Sequence, residues 1–285
     1  YGYFLHFLFK YAENTNDAML MRRIKDKIDN EVLDGNNFHL VRNDQVSYGC
    51  IFLDLLRKYG DSKYREASMQ IFTRLDSLYK VNGVVLYREG LRRQDVDAIG
   101  LVCPFLNQYE QMFKNTRAAK LSANMINAFC RYGNDRFTGI PCQAYDTETR
   151  LKTGIANWGR GCGWFCLGIL NTDKNSFDSI SVGSINRLTA TLYSLRPLYG
   201  QYLGVGNGAK PDMSATVMIL YYLNEVGAIR IDKKQFMAVI SPFVNDRGLI
   251  KYNSPSISHP FEKPNAFQGH HVTQALALYM LSRLD

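Results

Sequence analysis

Apolar residues recur along this chain at intervals of three and four, the spacing that gathers them on one face of an α-helix. Val46, Cys50, Leu53 and Leu56 form such a stripe over 45–59, and Ala67, Ile71, Leu75 and Leu78 form one over 62–79. Ile99, Val102, Leu106 and Phe113 do so over 97–113, and Leu121, Met125 and Phe129 over 117–131. The same periodicity predicts helices over 3–12, 16–29, 162–171, 182–196, 213–226, 233–243 and 268–284. No long run alternates with a period of two, so no long strand is predicted.

The predicted helices come in pairs. The first member of successive pairs starts near Asp44, Asp97, Arg160, Asp212 and Gln268, at intervals of 53, 63, 52 and 56 residues. Turn-rich connectors follow the second members at Leu33–Arg42, Val81–Arg93, Asn134–Asp146 and Asn245–Asn253. Regular spacing of this kind marks a repeated supersecondary unit. One helical pair cannot bury its apolar faces alone, so the pairs must stack. The connectors are long, Gly-rich and aromatic, which suits loops shaping a pocket at one end of a closed ring. The expected architecture is therefore an all-α (α/α)6 barrel, a six-hairpin toroid, in a single domain over 1–285. Eleven helices are predicted where six pairs need twelve, and a helix upstream of Tyr1 would supply the missing one.

Composition narrows the partners. Of the 285 residues 46% are apolar, enough for one large core, and 21% are charged without long low-complexity tracts, which excludes intrinsic disorder. The longest apolar runs, such as Ala215–Leu223, fall far short of the ~20 residues of a membrane helix. The net charge of +8 favours an anionic partner. The basic residues are scattered, and the one short cluster (Arg22, Arg23, Lys25, Lys27) is interleaved with acids. Nucleic-acid binding surfaces concentrate their charge in a stripe, so an acidic carbohydrate is the preferred partner. Cys50, Cys103, Cys130, Cys142, Cys162 and Cys166 form no CxxC pair and no zinc-like spacing. They read as reduced core thiols, which points to the cytoplasm and leaves the periplasm open.

Residues 157–166 concentrate unusual chemistry. Trp158 and Trp164, the only tryptophans of the chain, flank Arg160 in a stretch that also holds Gly159, Gly161 and Gly163. Aromatic faces stack on sugar rings, and a guanidinium pairs bidentately with a carboxylate. Each glycine costs about 1 kcal/mol in a helix, so three together imply tight turning or close approach of a ligand. The bland alternative is a buried tryptophan pair with Arg160 in a structural ion pair.

Trp158-Gly159-Arg160-Gly161-Cys162-Gly163-Trp164 resembles the Trp-x-Arg-Gly-Asn-Gly-Trp motif of the unsaturated glucuronyl and unsaturated rhamnogalacturonyl hydrolases, glycoside hydrolase families 88 and 105. Further segments match in the same order. They are Arg42-Asn43-Asp44-Gln45 with Tyr59-Gly60-Asp61-Ser62-Lys63-Tyr64, and Gln94-Asp95-Val96-Asp97 with Cys103-Pro104-Phe105-Leu106. Pro141-Cys142-Gln143-Ala144-Tyr145-Asp146 and Asp212-Met213-Ser214-Ala215-Thr216 follow. The resemblance covers residues 40 to 285, and it too implies an (α/α)6 barrel.

What the resemblance implies is hydration of the C4=C5 double bond in a terminal 4,5-unsaturated uronic acid, after which the glycosidic linkage falls apart. One carboxyl group donates a proton to C4 and then activates water for C5, acid first and base second. By motif position, Asp97 is that acid/base, with Asp95 as a rival two residues away. Asp44 is the second acidic position, hydrogen-bonding the sugar or tuning Asp97. Arg160 would hold the substrate carboxylate, with Trp158 and Trp164 as a pocket wall. Gln143, Asp146, Asp212 and His270 are expected to complete the substrate-binding set.

Asp44, Asp97 and Asp212 also precede amphipathic helices, where Asp is a preferred N-cap. A helix N-terminus lowers a carboxyl pKa, whereas an acid working near neutrality needs it raised, by burial or a second carboxylate. Two positions depart from the family: Gln143 replaces a histidine and Cys162 an asparagine. Gln143 cannot carry a proton, which keeps open a non-catalytic carbohydrate-binding or polysaccharide-assembly relative. An (α/α)-barrel glycosidase with a conventional carboxyl pair is the other alternative. His270 and His271 stand near a predicted helix start, whereas His6, His39 and His259 show no metal-binding spacing. No cofactor and no metal are expected.

Overall fold

A computed structural model describes residues 1–33, 43–77, 80–81, 83–86, 92–195, 203, 211–253 and 270–285. His39, Arg42, His259 and Gln268, most of the Leu33–Arg42 connector and part of Val81–Arg93 lie outside these residues, as does the side chain of Asp44.

Eleven α-helices occupy the described residues: α1 (Gly2–Asn14), α2 (Ala18–Ile28), α3 (Tyr48–Tyr59), α4 (Ser62–Ser77), α5 (Val96–Phe113), α6 (Thr116–Tyr132), α7 (Gly159–Ile169), α8 (Ser179–Leu195), α9 (Met213–Glu225), α10 (Lys233–Ile240) and α11 (His271–Leu281). Their ends follow local chemistry. Asp17 caps α2 by accepting from the Leu20 N–H, and Asp232 and Gln235 form a reciprocal capping box at α10. Gly60 ends α3 in the left-handed conformation, at φ 72°.

The odd-numbered helices form the inner ring. α1 packs on α3, α3 on α5, α5 on α7, α7 on α9, α9 on α11, and α11 closes on α1. The even-numbered helices lie outside, α2 on α1, α4 on α3, α6 on α5, and α8 against α6 and α9. This is the (α/α)6 toroid that the pairing predicts. The two layers differ in sequence for a physical reason. Every residue of α7 is buried, because an inner helix meets protein on all sides. The outer α4 buries only one stripe, including Tyr64, Ala67, Ile71 and Leu75.

The glycines around Arg160 do not turn the chain, as the sequence implied. α7 runs straight through Gly159, Gly161 and Gly163. The inner helices approach so closely there that side chains would collide. A Cβ on Gly161 would fall 2.5 Å from the Trp158 ring, and one on Gly163 would fall 2.8 Å from Met218 Cβ. Packing of α5 against α7 offsets the weak helix propensity of glycine.

Pro104 lies inside α5 and supplies no N–H to the carbonyl of Gly100. The buried Tyr3 of α1 fills that role, its hydroxyl donating to Gly100 O at 2.7 Å. Two small antiparallel sheets interrupt the helices. One pairs β1 (Lys80–Val81) with β2 (Val84–Val85). The other runs β3 (Arg93–Asp95), β4 (Ala144–Asp146) and β5 (Lys152–Thr153), with Asp95 opposite Ala144 and Gln94 opposite Tyr145. It delivers the chain into α5, where Val96 N–H donates to Gln143 O at 2.8 Å. All six cysteines are free thiols, and five are buried.

Candidate active site

The inner helices begin at a common end of the ring, and their first turns gather the charged groups. Arg160, in the first turn of α7, is the hub. It is buried, and it interacts electrostatically with Asp97 at the start of α5 and Asp212 at the start of α9. Its Nη2 lies 2.9 Å from Nε2 of His270, which precedes α11. Burial lowers the pKa of the guanidinium from its ordinary value, and the two aspartates act against that shift.

Asp97 is not the N-cap that its position implied. Asp95 occupies the cap position of α5, and its side chain makes no cap hydrogen bond. Asp95 accepts instead from Arg93 Nε at 3.1 Å. Asp97 stands one residue inside the helix. Its Oδ1 is shut off from solvent and has no hydrogen-bond partner among the described residues. Burial pushes its pKa up to about 7; Arg160 and Arg93 pull it down, and Asp95 adds to the rise. The helix dipole would favour the carboxylate, and desolvation prevails over it. Among the described side chains, Asp95 is the neighbouring acid that assists. The 3-10 turn Asn43–Ser47, which contains Asp44, packs directly on α5.

Asp212 does cap its helix. Its Oδ1 accepts from Ser214 N at 2.9 Å, Ser214 Oγ at 2.5 Å and Ala215 N at 3.3 Å, while its charge also acts on Arg160. Trp158 and Trp164 are 3% and 4% exposed. Trp158 lies against Gly161, and Trp164 packs between Tyr3 and His270, with ring centroids 6.0 and 6.4 Å away. Both rings are built into the wall of the ring of helices rather than standing in solvent. Gln143 is buried, with its Oε1 accepting from Ile155 N–H at 3.0 Å. Asp146 is the cross-strand partner of Arg93, and its Oδ1 accepts from Glu148 N and Thr149 N at 2.9 and 2.7 Å and closes a turn. His271 is exposed beside Phe4, and His6 pairs with Asp54 further along α1.

Sequence reasoning passed over Arg93, Tyr3 and Thr273. Arg93 adjoins the Gln94–Asp97 motif, so its charge was available to be noticed. Tyr3 answers the carbonyl that Pro104 leaves unpaired, a long-range pairing that no local pattern carries. Among the described residues no group of three or more His, Cys, Asp or Glu side chains is placed to hold a metal ion. No described helix is long and apolar enough to cross a membrane.

The family model of Glycosyl Hydrolase Family 88 matches residues 1–275. The chain belongs to glycosyl hydrolase family 88. The match reaches back through α1, further than the motifs from residue 40 onwards. Solved structures agree with the fold. A family 105 glycoside hydrolase from C. acetobutylicum is 20% identical, with a TM-score of 0.81 over 100% of this chain and 93% of that one. A possible family 105 member from Salmonella enterica is 13% identical, with a TM-score of 0.83 over 99% and 81%. A family 88 glycosyl hydrolase from Bacteroides vulgatus is 14% identical, with a TM-score of 0.68 over 99% and 91%. No curated protein matches in sequence. This family 88 protein is a glycoside hydrolase, and its substrate is an oligosaccharide.

Proposed function

We propose that this family 88 enzyme releases a terminal 4,5-unsaturated uronic acid from lyase-generated oligosaccharides by hydrating the C4=C5 vinyl ether. The observation that carries the proposal is Asp97: a buried carboxyl with a pKa pushed up to about 7, beside the buried cation Arg160. An acid of that strength holds a proton near neutral pH and still ionises readily enough to serve as a base.

The protonated Asp97 gives its proton to C4, and positive charge develops at C5 and the ring oxygen. The resulting carboxylate takes a proton from water as the water oxygen bonds to C5. The product is a hemiketal at C5, which opens and expels the remaining sugar. Arg160 holds the substrate carboxylate, and Asp212 and Asp95 keep the local charge balanced. The histidine usual at position 143 is not needed as a proton carrier in this scheme. Gln143 braces the β4–β5 loop through Ile155 N–H, and Asp97 handles both proton transfers.

The test follows loss of ultraviolet absorbance from 4,5-unsaturated disaccharides. Wild type is expected to remove the chromophore, and Asp97→Asn to slow turnover by about 10²–10⁴, the usual contribution of a general acid/base. Asp97→Asn turning over at the wild-type rate would remove Asp97 from the mechanism. Cleavage of saturated oligosaccharides with no loss of the chromophore would replace the scheme with a conventional carboxyl pair.

A further inference from the structure

We propose that Thr273 and His270 form a positioning relay that fixes the tautomer of His270 and thereby the direction of the Arg160 guanidinium. The inference starts from two contacts to one imidazole. Nε2 of His270 lies 2.9 Å from Arg160 Nη2, and Nδ1 lies 2.8 Å from Thr273 Oγ1. Arginine has only donors. The Arg160 contact is attractive only if Nε2 carries a lone pair, so the ring proton must sit on Nδ1. There it points at Thr273 Oγ1, which accepts it. The opposite tautomer would set two N–H groups against each other, and an imidazolium would set two cations against each other.

One contact opposes this assignment: as the N-cap of α11, His270 has the Thr273 backbone N–H aimed at Nδ1 at 3.3 Å, which favours a lone pair there. The shorter, charge-assisted contact of Arg160 with Nε2 at 2.9 Å outweighs it. Burial lowers the His270 pKa well below its ordinary value, and the charges of Arg160 and His271 add to this. The ring thus stays neutral near pH 7. Trp164 meets the imidazole edge-on, at 80° between planes, and Thr273 is completely buried, so the relay is held from both sides. His270 is then a positioning residue that acts through Arg160. His271, next to it but exposed beside Phe4, has no comparable setting.

The activity arm of the test rests on the unsaturated-uronide reading, and the spectroscopic arm does not. In protein labelled with ¹⁵N-histidine, the His270 signal is assigned by its loss in His270→Gln. Wild type is expected to show the Nδ1–H tautomer at pH 7. Thr273→Val removes the acceptor, so the Nε2–H form should gain population. KM for a 4,5-unsaturated disaccharide should rise about tenfold while kcat changes less than threefold. Thr273→Ser should restore both the tautomer and KM. An Nε2–H signal in wild type overturns the relay without any variant, as does Thr273→Val with unchanged KM and tautomer. An Nδ1–H signal that depends on Thr273, in an enzyme that leaves the chromophore intact, supports the relay while removing the substrate assignment.

Discussion

Asp97 keeps its proton to a higher pH than an ordinary carboxyl, and its contribution to stability therefore depends on pH. Its folded pKa of about 7 lies above the value near 4 of an unfolded Asp. Between those values the native state binds more protons than the unfolded one, so the contribution of Asp97 to stability falls as pH rises from about 4 to 7. Above pH 7 the buried carboxylate is a net liability, at most a few kcal/mol given about 1.4 kcal/mol per pKa unit. Asp97→Asn removes the titration but keeps the shape. The variant should therefore unfold at higher urea than wild type at pH 8, with the gap shrinking by pH 5. Equilibrium denaturation at the two pH values checks this, and a variant less stable at pH 8 would contradict it. A substitution that stabilises at pH 8 and slows turnover is the expected signature of a site where function opposes stability.

At the scale of helices, the contact of α5 with α7 sets how far Asp97 lies from Arg160. A Cβ on Gly100 would fall 2.5 Å from the carbonyl oxygen of Trp164 and 2.9 Å from its C and Cα. These are backbone atoms, so α5 and α7 must part to admit a methyl group. Gly100→Ala should cost about 1–3 kcal/mol, in the range of core overpacking, and should lower kcat/KM by separating the acid from the cation. Gly183→Ala is the control. There the first neighbour is the flexible end of Arg187 at 3.2 Å, and better helix propensity should leave stability equal or up to about 1 kcal/mol higher. Urea midpoints of the two variants decide the matter. This contact also shows why part of the fold was legible in sequence and part was not. Helix existence and pairing are local, periodic properties, so stripes such as Ala67, Ile71 and Leu75 announced α4, and the Trp158–Trp164 motif pointed to the candidate site. Interhelical distance is set by atoms far apart in the chain. The glycines of α7 therefore looked like a turn, Asp97 like a cap, and the threonine three places after His270 like nothing in particular.

For the whole molecule, closure of the ring depends on α1, and α1 is fastened to α3 by one buried acid. Asp54 is 1% exposed, with His6 Nδ1 at 2.5 Å, Lys10 Nζ at 3.1 Å and Arg57 Nη2 at 3.6 Å. It lies toward the end of the ring opposite Asp97, beside a cavity of 390 Å³ lined by His6, Lys10 and Arg57 among others. Burial alone would raise the pKa of Asp54, but His6, Lys10 and Arg57 outweigh it and hold the carboxyl below its ordinary value. The sign is therefore opposite to that of Asp97. The stabilisation is present above about pH 4, the unfolded value, and is lost as pH falls through the lower folded pKa. Asp54→Asn keeps the volume and removes the charge, leaving His6 and Lys10 without their shared partner. Removing one member of a buried pair costs about 3–5 kcal/mol, and Glu13 remains near Lys10 and Arg57, so the lower end of that range is expected. The loss should appear first as faster amide hydrogen exchange in α1. It should then reach the opposite end of the ring, because Tyr3 of α1 supports Gly100 and packs on Trp164. At pH 7 the variant should therefore be less stable and less active, and below pH 4 its deficit in stability should narrow. Protection of α1 equal to wild type at pH 7 would show that Asp54 does not hold the ring closed.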